Sequence, residues 1–143
     1  MALDPFDLRR FVEAQQSVYE SALAELRRGR KETHWMWFVF PQLAGLGTSP
    51  VSRRYAIRSP AEAAAYLEHP ILGTRLRKCV VALNGLASSS AEEILGSVDA
   101  MKLRSSLTLF ARVAERPSVF TEALDKFFGG APDPRTLERL EAR

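Results

Sequence analysis

The chain has 143 residues, 46% hydrophobic and 26% charged. That is the length and mixture of one globular domain, with a core large enough to stand without disulfides or metal. Twenty Lys and Arg against seventeen Asp and Glu leave a net charge of +3, which suits an anionic ligand and is too small to point to nucleic acid. From the N-terminus, MALDPFDLRRF lacks the basic, apolar and small-residue succession of a secretory leader. Asp4-Pro5 then opens a helix. A short polar side chain can cap the free backbone donors, and proline suits the first helical position. Leu8, Phe11, Val12, Tyr19, Ala22, Leu23 and Leu26 form one apolar stripe, so this helix is expected from Pro5 to about Arg28, ending at Gly29.

After Arg30-Lys31 comes the aromatic run His34-Trp35-Met36-Trp37-Phe38-Val39-Phe40. Periodicity does not separate a short helix from a strand here; a short helix stopped before Pro41 is the favoured reading. Thr33 to Ser52 carries no formal charge over twenty residues, about the length of a membrane span. Pro41, Gly45, Gly47 and Pro50 would break such a span, so an uncharged loop over Leu43–Ser52 is expected instead. Ser59-Pro60 with Glu62 reads as a capping box opening the next helix. Pro70 restarts the chain to about Leu86, burying Leu72, Leu76, Cys79, Val80 and Leu83. Ser90 and Glu93 box a helix of one or two turns ending at Gly96. Ser97 to about Ala114 follows, with Leu103, Leu107 and Phe110 inward. A helix carrying Val119 to Phe128 stops at Gly129-Gly130, and Asp133-Pro134 starts the last one. Six or seven helices and no strand alternation make an all-α fold, a single domain over 1–143.

The local signatures of well-known chemistries are missing. Gly45-Leu46-Gly47 lacks the third glycine and the preceding strand of a dinucleotide fingerprint. One cysteine and two histidines do not make a zinc site, and no metal site is expected. HExxH, Gly-x-Ser-x-Gly and Ser-x-x-Lys are absent. No motif identifies a cofactor or fixes an oligomeric state. The lone Cys79 excludes an internal disulfide and fits a reducing compartment, so the expected location is cytoplasmic, without a membrane partner.

Several segments in order nevertheless resemble one family. They are Asp4-Pro5-Phe6-Asp7-Leu8 with Arg10-Phe11, the run His34 to Gln42, Tyr55-Ala56-Ile57, His69-Pro70-Ile71-Leu72-Gly73 with Arg75-Leu76, Lys102-Leu103-Arg104-Ser105-Ser106-Leu107-Thr108-Leu109-Phe110, and Phe127-Phe128-Gly129-Gly130 with Asp133. Together they are similar to a bacterial family catalogued as a domain of unknown function, number eighteen hundred and ten, sometimes mislabelled calpastatin. The resemblance spans nearly the whole chain and implies a small all-helical fold, with no activity attached. The calpastatin label does not transfer, because that inhibitor is disordered and this composition is that of a packed domain.

Among chemistry-bearing residues, the imidazole of His34 makes it the candidate acid or base; its structural reading is a histidine that caps a helix or satisfies a neighbouring carbonyl. Trp35 and Trp37 could stack on a flat ligand, or be core. On a helix they diverge by about 200°, so only one can line a pocket. Asp99 and Lys102 are three apart and can pair. With Arg104 and Ser105 they place cations and a hydroxyl beside buried surface, where a phosphate or carboxylate could sit; the plain alternative is a surface ion pair. Arg27 to Lys31 reads as a solvated helix end, and Cys79 as a small core hydrophobe.

The leading expectation is therefore an anionic, nucleotide-like small molecule in a pocket joining His34, Trp35 and Trp37 to Asp99, Lys102, Arg104 and Ser105, with Gln42, Tyr55 and Arg75 as further walls. The alternative is a protein-interaction module presenting the Leu43–Ser52 loop. The first requires the aromatic segment and the cationic helix to meet around a shared hollow.

Overall fold

The computed structural model describes residues 3–141. In chain order they form α1 (Arg9–Gln15), α2 (Tyr19–Arg28), α3 (Met36–Val39), α4 (Pro50–Arg54), α5 (Pro60–Glu68), α6 (Leu72–Asn84), α7 (Ala91–Leu95), α8 (Ser97–Val113), α9 (Val119–Phe128) and α10 (Pro134–Glu141). No strand occurs among these residues; one isolated parallel bridge joins Leu43 to Ile57. The all-α expectation holds, with more pieces than foreseen because several helices are a single turn.

Serine capping sets many of the boundaries. Ser49, Ser59, Ser90 and Ser118 each accept a hydrogen bond from the backbone N–H three residues on, opening α4, α5, α7 and α9. His69 does the same for α6 through its imidazole, accepting from the N–H groups of Ile71 and Leu72. Two expectations are corrected. The helix expected over Pro5–Arg28 is two helices. Asp4 holds a preliminary turn, accepting from Leu8 and Arg9, and Asp7 takes a left-handed φ of 52°, a conformation aspartate tolerates. The second break falls at residues 16–18, between α1 and α2, where the apolar stripe is interrupted by Gln15, Gln16 and Ser17. Gln15 turns inward to donate to the Phe38 carbonyl and the Tyr66 hydroxyl. Second, the Leu43–Ser52 loop ends in α4, opened by Ser49-Pro50.

At the centre lies α8, packed on α5, α7, α9 and α10. Its Leu103, Leu107, Leu109 and Phe110 are buried. Phe110 continues an aromatic chain through Tyr66 at 5.3 Å to Phe11 at 5.2 Å from Tyr66. Cys79 is wholly buried, and burial pushes its thiol up to about 12: a core residue. Helices α5 and α6 approach so closely that a Cβ on Gly73 would meet the Leu67 carbonyl. A buried ion pair ties α1 to α5. Arg10 donates to Glu62 at 2.8 Å and to the carbonyls of Phe6, Asp7, Arg54 and Ala56. The capping box read at Ser59 and Glu62 is thus only half made. The Glu62 N–H bonds Ser59, but its carboxylate serves Arg10 and the Arg58 N–H instead. No helix among the described residues is long and apolar enough to cross a membrane.

Candidate functional site

The aromatic segment is positioned by a buried carboxylate. Glu25, on α2, is 3% exposed. It accepts four hydrogen bonds, from the N–H groups of Glu32 and Thr33, the Thr33 hydroxyl and the Trp35 indole N–H. Burial alone would raise its pKa, but the four donors hold it down at about 2. This clamp folds residues 30–35 back under α2 and delivers the chain into α3. The two tryptophans diverge in burial as the helical reading expects, although both reach the wall of one hollow described below. Trp35 is core, 1% exposed, whereas Trp37 points away and is half-buried.

Trp37 meets α8. The Lys102 ammonium lies over its ring, 4.4 Å from the centroid, close enough for a cation–π attraction. Lys102 also pairs with Asp99 at 3.1 Å, as the spacing predicted, and Asp99 takes a second cation, Lys31, at 2.9 Å. Burial works against the Asp99 charge, and the two ammonium groups outweigh it, so its pKa is lowered. Two lysines on one aspartate leave this cluster one positive charge in excess.

Three hollows converge on Trp37. The first, about 270 Å³, lies between α4 and the loop after α3, walled by Trp37, Gln42, Ser52, Arg53, Tyr55 and Arg58. The second, about 210 Å³, lies between α3 and the α8–α10 contact, with Trp37, Gln42, Lys102, Arg104, Ser105, Asp133 and Arg135 in its wall. The third, about 390 Å³, lies between the segment leading into α3, the start of α4 and the first turns of α8, with Lys31, His34, Trp35, Trp37, Asp99 and Lys102 in its wall. Gln42 is shared by the first two and Lys102 by the last two. The loop that floors the first hollow depends on glycine. A Cβ on Gly47 would lie 2.7 Å from Ser52 Cβ and 3.1 Å from the Trp37 ring. At Gly45, whose φ is +95°, a Cβ would collide with the Arg139 guanidinium of α10.

Nine of the ten residues singled out from the sequence thus stand around Trp37. The exception is Arg75, which lines none of the three hollows: it stacks on Tyr19 at 4.8 Å and reaches Gln15, holding α6 to α1 and α2. Within the group the roles differ. Arg104 is committed to the carbonyls of Ala131 and Pro132. Ser105 donates to Met101 and Asp133, and Asp133 caps α10 through Thr136. Tyr55 packs edge-on against Phe38, 4.8 Å between centroids. His34 is exposed at the rim and makes no hydrogen bond to a described residue.

The sequence reading passed over four residues here. Lys31, taken with Arg27 to Arg30 as solvated, is in fact drawn into the ion cluster. Glu25 lies on the apolar side of α2, next to Leu26, and an acid there is a signal of a bonded partner. Arg53 sits in the last turn of α4 and Arg58 just beyond it, and Ser49-Pro50 is the same helix-opening pair recognised at Ser59-Pro60.

A model of the family described as protein of unknown function, DUF1810, matches residues 5–140. Among solved structures, the chain resembles the crystal structure of a conserved hypothetical protein, Rv1873, from Mycobacterium tuberculosis. The two are 54% identical, with a TM-score of 0.94 over 96% of this chain and 99% of that one. No curated protein matches.

Proposed function

Because the chain belongs to the DUF1810 family, whose description assigns no activity, its role must come from the site, and we propose that it binds a small anionic molecule bearing a flat ring in the cleft around Trp37. The observation that carries this reading is the half-exposed indole held 4.4 Å under Lys102, where three hollows meet. An indole face offers stacking to any flat π-system, and the excess positive charge of Lys31 and Lys102 over Asp99 favours an anion. Lys102 is better placed for this than Arg104, whose Nε and Nη2 donate to backbone carbonyls. His34, exposed at the rim of the third hollow, is the group we assign to any proton transfer on the bound molecule. A soluble cytoplasmic setting fits the lone buried thiol.

A thermal-shift screen of nucleotides, phosphorylated sugars and aromatic carboxylates tests this. At a ligand concentration about 100 times Kd, binding adds roughly 2.7 kcal/mol to stability, a shift of several degrees for a domain of this size. The shift should shrink or vanish in Lys102→Ala, weaken in His34→Ala and persist in Arg75→Ala. No shift from any compound would overturn the reading.

A further inference from the structure

Resting on that reading, we propose that the ligand's oxyanion, a phosphate or carboxylate group, is held in the first hollow by Arg53, Arg58 and the Gln42 amide, while its ring lies on the adjacent side of Trp37.

The three hollows differ in charge. The second contains Asp133 and the third contains Asp99, whereas the first has two arginines and no carboxylate in its wall. The lysines near Trp37 are already balanced in part by Asp99. By contrast, Arg53 and Arg58 are exposed, and their guanidinium groups make no ion pair or hydrogen bond with a described residue. Arg10, Arg77 and Arg104 differ in that each donates to a backbone carbonyl. Two free guanidinium groups at one hollow are suited to an oxyanion, which they can grip through paired N–H groups.

Gln42 supplies an independent indication. It is 7% exposed, forms part of the wall, and its side-chain nitrogen has no acceptor among the described residues. A buried amide donor left unpaired lowers stability, and a ligand oxygen reached by a turn of the side chain removes that deficit. The remaining geometry fits a ring beside the anion. Tyr55 and Trp37 are walls of the same hollow, and Gly47 lets the loop close against the indole edge. Lys102 is not in this wall; resting on the Trp37 ring at 4.4 Å, it serves the ligand by holding the indole and adding to the positive field of the cleft. A volume of about 270 Å³ is near the lower end for ligand sites. It suits one ring with one oxyanion, such as an aryl phosphate or a nucleoside monophosphate, and not a dinucleotide.

The test is titration of the full-length ¹⁵N-labelled protein with phenyl phosphate, adenosine monophosphate, benzoate and inorganic phosphate, alongside calorimetry. The expected result is a saturable shift of the Gln42 side-chain NH₂ signals by at least one ring-bearing anion, with inorganic phosphate weaker because it does not stack. Phenyl phosphate against benzoate separates the phosphate from the carboxylate source. Arg53→Ala/Arg58→Ala, both exposed and so compatible with folding, should weaken binding by about tenfold or more. Gln42→Glu should do likewise by placing a negative charge at the anion, and Arg112→Ala, exposed on α8, should change nothing. Loss of binding in Lys102→Ala but not in the double arginine variant would overturn the subsite and leave the reading above standing. Equal weakening by Arg112→Ala would reduce the effect to general charge and also overturn it. Binding by none of the compounds would remove both.

Discussion

Trp35 and Trp37 sit two positions apart around one short helix, and the polar groups near them are treated in opposite ways. At Trp35 every bond is made. Its indole N–H reaches Glu25, whose remaining capacity is filled by Thr33 and two backbone N–H groups. A similar arrangement recurs at Arg10, where five hydrogen bonds accompany one buried guanidinium. At Trp37 the bonding is left open: a buried Gln42 nitrogen without an acceptor, Arg53 and Arg58 without acids, and a lysine resting on the ring face. Closed polar groups fix a fold, and open ones at a concave surface are what a ligand can complete. The difference separates residues whose loss should cost stability from residues whose loss should cost binding.

Arg10→Ala presses this contrast hardest. It strands the Glu62 carboxylate in the interior and leaves four carbonyls short of a donor, so a loss of about 3–5 kcal/mol is expected, read by urea unfolding, with any ligand affinity of the folded fraction unchanged. A cost below about 1 kcal/mol would erase the distinction. Next comes Glu25→Ala, which orphans four donors and should cost about 3 kcal/mol. This site also has a pH signature. The Glu25 carboxyl titrates at about 2 in the fold against an ordinary 4.5. Its contribution is therefore complete above about pH 4.5 and declines as the pH falls toward 2. In Glu25→Gln that part of the acid dependence should disappear. The smallest effect sharpens the comparison from the other side. Gln42→Leu removes an unpaired nitrogen, so the unliganded protein should keep its melting temperature or gain up to about 1 kcal/mol, while binding of a stabilising anion is lost. A Gln42→Leu protein destabilised by 2 kcal/mol or more would mean that this amide belongs with the closed groups.

Much of this was legible in the residues themselves. Serines and an aspartate before helices, glycines after them, and apolar stripes on α6, α8 and α9 are local signals, and they placed most of the boundaries. The pairing of Asp99 with Lys102 and the divergence of the two tryptophans followed from helical spacing alone. What escaped is tertiary. Nothing near Gln15 in the sequence announces that its amide will reach the Phe38 carbonyl and the Tyr66 hydroxyl, so the break between α1 and α2 was not readable. Nothing beside Arg10 announces its buried ion pair, because Glu62 is 52 positions away. Lys31 looked solvated for the same reason, its partner Asp99 lying on another helix. Arg75 was drawn into the expected site by its place in a family motif, yet it follows α6 to the far side of Gln15. Chemistry carried by spacing within one helix was visible; chemistry assembled between helices was visible only as unexplained charge.

A side chain at Gly45 would collide with Arg139, but the guanidinium it would meet is the far end of a flexible, exposed side chain, which can swing aside. What reserves position 45 for glycine is its φ of +95°, so Gly45→Ala would strain the turn beneath the arginine-lined hollow even with Arg139 moved away.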